Sequence, residues 1–220
     1  MTHAMNFEVA RHHMIEQQLR PWDVLDPAVV DVLYADHRED FVPAPYRALA
    51  FADTDIPLGS GASMLPPKLE AHALQALAVK PHERVLEVGT GSGHMAALLA
   101  ACAKEVWSVE IDPALAEQAR ANLSRRGVAN VHVEVGDGLI GLAARAPFDV
   151  IMVSGAVREI PVALIEQLAN GGRLLAFVGE APVIAMRRLT RNGPEALLVE
   201  DIMETEVPAL QQASAIQFSF

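Results

Sequence analysis

Gly89, Gly91 and Gly93 stand at alternate positions, with Glu87 just before them and an Ala- and Leu-rich segment, Met95 to Ala103, just after. The chemistry such a stretch serves is anion and sugar binding. Residues without a Cβ let the backbone turn sharply and approach a ligand closely. The helix start beyond them offers unpaired N–H groups and the positive end of its dipole. Thr90, Ser92 and His94 sit in and beside this turn and are counted with the site. Glu87 is expected beneath it, ordering it by accepting backbone N–H bonds. A nucleotide-like ligand is the expected occupant.

Two further turns bring acids to the same place. Val106-Trp107-Ser108-Val109-Glu110 reads as a strand ending in a carboxylate, about twenty residues beyond the glycines, where a ribose is met. A carboxylate there accepts from both ribose hydroxyls, and a charged acceptor strengthens those bonds. Ile111 adjoins it. Gly136-Asp137-Gly138 closes the next strand, and Asp137 is placed to accept from an adenine amino group, although Gly-Asp-Gly is also ordinary turn chemistry. Ser154 ends a fourth strand and either faces the crevice or caps the following helix. The letters Gly91 to Ala96 fit both a dinucleotide fingerprint and the E-x-G-x-G-x-G turn of S-adenosylmethionine-dependent methyltransferases. The Gly136-Asp137-Gly138 turn and a hairpin near the C-terminus favour the methyltransferase.

The elements that must position these residues read as alternating strands and helices. Strands are expected at Arg84 to Val88, Glu105 to Glu110, Val131 to Val135, Phe148 to Val153 and Gly172 to Val178. Helices are expected from Pro67 to about Val79, Gly93 to Ala103, Pro113 to Arg126 and Pro161 to Leu168, with a short one near Leu139 to Ala144. This rhythm means a mostly parallel sheet covered on both faces, with ligands at the carboxyl ends of its strands. Val183 to Thr190 and Ala196 to Glu206, joined by Arg191-Asn192-Gly193-Pro194, read as an antiparallel hairpin. The fold class is therefore α/β, a seven-stranded Rossmann-like methyltransferase fold with an N-terminal helical extension. Residues 1–66 form that extension, with helices at Phe7 to Leu19 and Pro27 to about His37 and an extended loop at Phe51 to Ser63; residues 67–220 form the cofactor-binding domain.

Composition narrows the class. A chain of 220 residues can bury roughly 70% of its unfolded surface and needs no covalent or metal staple. Cys102 is the single cysteine, which excludes an internal disulfide and suits a reducing compartment. The eight histidines are scattered, with no H-E-x-x-H or Cys/His spacing, so no metal site is expected. A formal net charge of −11 argues against a nucleic-acid partner. No apolar run approaches the ~20 residues of a membrane span, and Met1 to Arg11 is too polar for a signal peptide. A cytoplasmic protein without membrane partners is expected.

With these residues in place, the chain resembles the protein-L-isoaspartate O-methyltransferase family, and over most of its length. In the core the resemblance rests on Val85 to Gly93, Val109-Glu110, Val135 to Gly138, Pro147-Phe148-Asp149 and Leu168 to Leu174. Nearer the N-terminus it rests on Met14 to Arg20, Asp40-Phe41-Val42-Pro43, Ala52-Asp53 and Ile56 to Gly59, which are more specific to the family. It implies S-adenosylmethionine as cofactor and methyl transfer to a carboxylate of damaged, isoaspartyl-containing protein. One stretch departs. Where the family runs G-x-G-Q-T-I-S-Q-P, this chain has Gly59-Ser60-Gly61-Ala62-Ser63-Met64-Leu65-Pro66-Pro67. Leu65 stands at the position of the family's essential Ser, and only Ser63 keeps a hydroxyl nearby. The alternatives are a methyltransferase with a different protein or small-molecule acceptor, and a cofactor-binding protein without transfer activity.

Overall fold

Short β-branched and aliphatic runs bounded by glycine and proline become the strands, and the Ala- and Leu-rich runs between them become helices. The computed structural model describes residues 6–193 and 196–211. The N-terminal part holds α1 (Phe7–Met14), a π-helical turn (Ile15–Leu19), α2 (Pro27–Ala35) and the hairpin β1 (Ile56–Gly59) and β2 (Ala62–Met64). There follow α3 (Pro67–Leu77), β3 (Arg84–Val88), α4 (His94–Cys102), β4 (Glu105–Glu110), α5 (Pro113–Arg125) and β5 (Val131–Val135). The chain continues through β6 (Phe148–Val157), α6 (Val162–Glu166), β7 (Leu168–Glu180), β8 (Val183–Arg191) and β9 (Leu197–Thr205).

Seven strands form one sheet in the order β5-β4-β3-β6-β7-β8-β9. From β5 to β7 all neighbours are parallel; β7 to β8 and β8 to β9 are antiparallel. The chain steps one way from β3 to β4 and the other way to β6, so the order reverses at the carboxyl end of β3. That is where an open α/β sheet has a crevice.

Alternate residues of the central strands feed opposite layers. Val85 joins Leu69, Leu74, Val150 and Leu175 in one buried cluster, whereas Leu86 joins Trp107, Ile151 and Leu174 in the other. Met14, Ile15 and Leu19 belong to the same cluster as Leu69 and Val85, so the N-terminal segment is packed into the core of the sheet domain.

Four stretches differ from the sequence expectation. The loop expected at Phe51 to Ser63 contains β1, which pairs antiparallel with β2 through Ile56 with Met64 and Pro57 with Ser63. Its turn passes through a left-handed stretch, φ 95°, 51° and 79° at Gly59, Ser60 and Gly61, a path hidden by the absence of an Asn-Gly or Asp-Gly signal. The expected helix near Leu139 is two 3-10 turns, Gly138–Ile140 and Ala143–Arg145. The helix expected at Pro161 to Leu168 is confined to Val162–Glu166, because Leu168 already opens β7. The helix expected to run to Leu19 changes to π geometry after Met14. The last hairpin forms, with the Asn192 N–H donating to the Ala196 carbonyl at 2.8 Å; Pro194 of its turn lies outside the described residues.

Candidate active site

The register of the central strands assembles the site. Glu87 on β3 lies beside Ser108 on β4, and the turns after β3, β4, β5 and β6 open onto one crevice. Gly89, Gly91, Glu110, Ile111, Asp137, Gly138 and Ser154 all line it. Gly89 has φ 92°, and a Cβ there would fall 2.7 Å from Leu210 Cδ1. A Cβ on Gly138 would fall 2.5 Å from Val88 Cγ1, so the β5 turn can lie against β3 only as glycine. These two close approaches keep the crevice open between the strand ends.

Glu110 is 5% exposed. Its Oε2 accepts from the Gly91 N–H at 2.8 Å and its Oε1 from the Asp112 N–H at 3.1 Å. The carboxylate is thus held by main chain on either side and needs no side-chain partner to fix it. Asp137 accepts from the Leu139 N–H at 3.0 Å through Oδ1, so it caps a turn while it borders the crevice. Ser154 points from β6 into the crevice, and its hydroxyl donates to Glu87 Oε1 at 3.1 Å.

Glu87 behaves differently from the expectation. It is fully buried, and its partners are the hydroxyls of Ser108, at 2.5 Å, and Ser154, not the N–H groups of the glycine turn. The Gly91 N–H is taken by Glu110 and the Gly89 N–H by the Val109 carbonyl. Burial pushes the Glu87 carboxyl up to about 8, against the opposing effect of the two hydroxyls. Near neutrality it is mainly protonated. The Ser108 hydroxyl that donates to Glu87 also lies 2.6 Å from the Thr90 hydroxyl.

Thr90 and Ser92 are buried and line a smaller recess between the glycine turn and Ser63, Met64 and Leu65. Gly93 and Gly136 do not line the crevice. His94 is 2% exposed and faces away from it, toward Asp36, Arg38 and Glu70. Its place at the start of α4 turns the imidazole under the turn and not over it.

The other wall of the crevice comes from far apart in the sequence. Gly61, Ala62, Ser63 and Leu65 come from the β1–β2 hairpin and its exit. Leu65 is 5% exposed, and Arg38 Nη2 donates to its carbonyl at 2.7 Å. Facing the hairpin is a strap, Val207 to Gln211, pinned to β6 by Ala156 N–H to Pro208 O (2.9 Å) and Leu210 N–H to Ala156 O (2.8 Å). The Gln211 amide donates to the Ser60 carbonyl and closes the strap onto the hairpin. Sequence reasoning missed the strap; Val207-Pro208 marks only the end of β9, and nothing local reports the return to β6. Among the described residues no cluster of His, Cys, Asp or Glu suits a metal, and no helix is long and apolar enough to cross a membrane.

A parallel sheet with an antiparallel close, a glycine turn after its first strand and carboxylates at the ends of the next two define an S-adenosylmethionine-dependent methyltransferase. Comparison with known proteins narrows the class. The profile described as protein-L-isoaspartate(D-aspartate) O-methyltransferase matches residues 9–213. The protein-L-isoaspartate O-methyltransferase of Methylorubrum populi is 43% identical over 209 residues, covering 94% of this chain and 98% of that one. That of Opitutus terrae is 42% identical over 185 residues, covering 83% and 79%. A solved protein-L-isoaspartate O-methyltransferase superposes with a TM-score of 0.78 at 26% identity, over 91% of this chain and 66% of that one. A putative one from Plasmodium falciparum, in complex with S-adenosyl-L-homocysteine, shares the fold with a TM-score of 0.79 at 18% identity. The chain belongs to the protein-L-isoaspartate(D-aspartate) O-methyltransferase family, and its cofactor is S-adenosylmethionine.

Proposed function

We propose that the protein transfers the methyl group of S-adenosylmethionine to a carboxylate on a protein acceptor, an L-isoaspartyl residue as in its named relatives. Residues 67–220 serve as the cofactor-binding domain, and the N-terminal 66 residues supply the acceptor wall. Glu110 takes the ribose hydroxyls, Asp137 and Ile111 border the adenine, and Gly89 and Gly91 give the cofactor close access to the backbone. When bound, the cofactor supplies an electrophilic methyl on a sulfonium.

One observation carries the choice of acceptor. The acceptor end of the crevice is lined by the hydroxyls of Ser63 and Ser154, by Gln211, by main chain and by apolar groups, and among the described residues no histidine, lysine or cysteine borders it. An acceptor that had to lose a proton would find no base there. A carboxylate, with a reference pKa of about 4, arrives ionised. The work left to the protein is to hold it in line and keep water out, which the hairpin and strap do from both sides.

Leu65 supports a second reading. It offers no hydrogen bond where the family motif has a hydroxyl, so the wall is shaped for an apolar neighbour of the acceptor, and a protein or small-molecule carboxylate other than isoaspartyl fits it. Labelled S-adenosylmethionine, offered with an isoaspartyl peptide or its aspartyl isomer, tests both readings. Label that enters the isoaspartyl peptide and leaves as methanol in mild alkali, the behaviour of a methyl ester, supports the proposal. Alkali-stable label, or no label beside intact cofactor binding, overturns it.

A further inference from the structure

His94 follows the glycine turn directly and takes no part in the crevice. Its imidazole lies between two carboxylates, Nε2 at 2.7 Å from Asp36 Oδ2 and Nδ1 at 2.9 Å from Glu70 Oε2. Arg38, 1% exposed, pairs through Nη1 with that same Glu70 oxygen. Two further donors of Arg38 go to main chain, Nε to the Ala50 carbonyl and Nη2 to the Leu65 carbonyl, each at 2.7 Å. Phe41 packs edge-on against the imidazole at 5.2 Å between ring centroids. The charged groups facing His94 are therefore Asp36 beyond α2, Arg38 in the 3-10 turn Arg38–Asp40, and Glu70 on α3.

The two carboxylates beside the ring set its protonation state. Each ring nitrogen faces a carboxylate oxygen, which when ionised can only accept, and Arg38 Nη1, 3.0 Å from Nδ1, shares the Glu70 oxygen with it. Both aim at Glu70 Oε2, while Nε2 aims at Asp36. An imidazole that donates from both nitrogens is an imidazolium. With it the cluster holds two cations and two carboxylates and is neutral, as four buried charges require. Burial opposes the charge, but Glu70 and Asp36 carry the imidazole up to about 9.

We propose that His94 is a positioning residue for methyl transfer: as a cation between Asp36 and Glu70 it fixes Arg38, and Arg38 holds the Leu65 carbonyl and with it the acceptor wall. The inference rests on the reading that the β1–β2 hairpin and Leu65 form that wall. It couples the first residue of α4, on the cofactor turn, to the acceptor side through one buried cluster.

The test uses the full chain and three variants built from two substitutions. Isotope-labelled histidine, with His94 identified by its loss in His94→Gln, should show by NMR an imidazole that stays doubly protonated to about pH 9. At pH 7, amide exchange over residues 59–66 should be at least about tenfold faster in His94→Gln, whose cluster carries a net negative charge. Affinity for S-adenosylhomocysteine should change less than about threefold, and kcat on an isoaspartyl peptide should fall with the KM for S-adenosylmethionine unchanged. The double variant Asp36→Asn/His94→Gln restores neutrality at the same volume and should recover much of the hairpin protection, which a packing role would not produce. If His94→Gln does not fold, Asp36→Asn alone, at the edge of the cluster, should loosen the same hairpin. A His94 that titrates near its ordinary value, or equal hairpin protection in all the proteins, overturns the proposal. Exchange and NMR need no acceptor, so an inactive wild type would count against the acceptor reading and leave this test intact.

Discussion

The two walls of the crevice are built by different means. The wall proposed for the cofactor uses the ends of neighbouring strands, and its main carboxylate, Glu110, is held by backbone N–H groups within nineteen residues of it. The acceptor wall is held across the whole chain: Arg38 on the Leu65 carbonyl, Gln211 on the Ser60 carbonyl and Leu210 against Gly89. A wall made of strand ends inherits its geometry from the sheet. A wall made of a hairpin and a strap depends on a few side chains, so it can be reshaped without disturbing the fold. Leu65, in place of the family's Ser, falls in that second wall.

The largest effect expected is on the acceptor wall's anchor. Arg38→Met leaves Glu70 buried without its strongest partner and frees two carbonyls, and should cost about 3–5 kcal/mol in urea unfolding. A loss below ~1 kcal/mol would show that the wall stands without its cluster.

Glu110→Ala should cost less in unfolding, about 1–3 kcal/mol for the Gly91 and Asp112 N–H groups it leaves without an acceptor, and weaken S-adenosylhomocysteine binding by about 1.5–3 kcal/mol, the scale of hydrogen bonds to a charged group. Unchanged affinity by calorimetry would remove Glu110 from the cofactor wall.

Glu87→Gln sharpens the contrast through pH. The folded Glu87 carboxyl is raised to about 8, so the native state holds a proton that the unfolded chain releases from about pH 4.5 upward. Stability from this group is present at low pH and lost as pH rises from about 4.5 through 8. The variant should match wild type near pH 5 and exceed it at pH 8, by an amount on the order of 2 kcal/mol. His94, raised to about 9, adds a second loss that begins above about pH 6.5 and continues through 9, and this one the Glu87 variant retains. Equal pH slopes in the two proteins would mean that Glu87 is ionised in the fold.

The same contrast explains what the sequence could and could not reveal. Strands β3, β4 and β5 were legible to the residue, because short β-branched runs end in glycine or an acid. Gly89, Gly91, Glu110, Asp137 and Ser154 were legible as crevice residues for the same reason. Glu87 was placed correctly under the turn but given backbone partners, since nothing local shows that the register puts Ser108 beside it. His94 was assigned to the pocket because it follows the glycines, yet its direction depends on Asp36 and Glu70, 58 and 24 residues away. The strap escaped notice because its partners on β6 lie some fifty residues earlier, and a parallel return of a few residues has no hydrophobic period to betray it.

The claim that the two walls are separable is tested most directly by restoring the hydroxyl. The double substitution Leu65→Ser/Pro66→Gln rebuilds the family stretch beside the helix start at Pro67 and touches no residue of the cofactor wall. Measured as kcat/KM for an isoaspartyl peptide, transfer should rise at least about tenfold over the wild type, or roughly 1.4 kcal/mol in transition-state stabilisation, while S-adenosylhomocysteine affinity stays within about twofold. No gain in a folded variant that still binds S-adenosylhomocysteine, or a parallel loss of that affinity, would contradict the account.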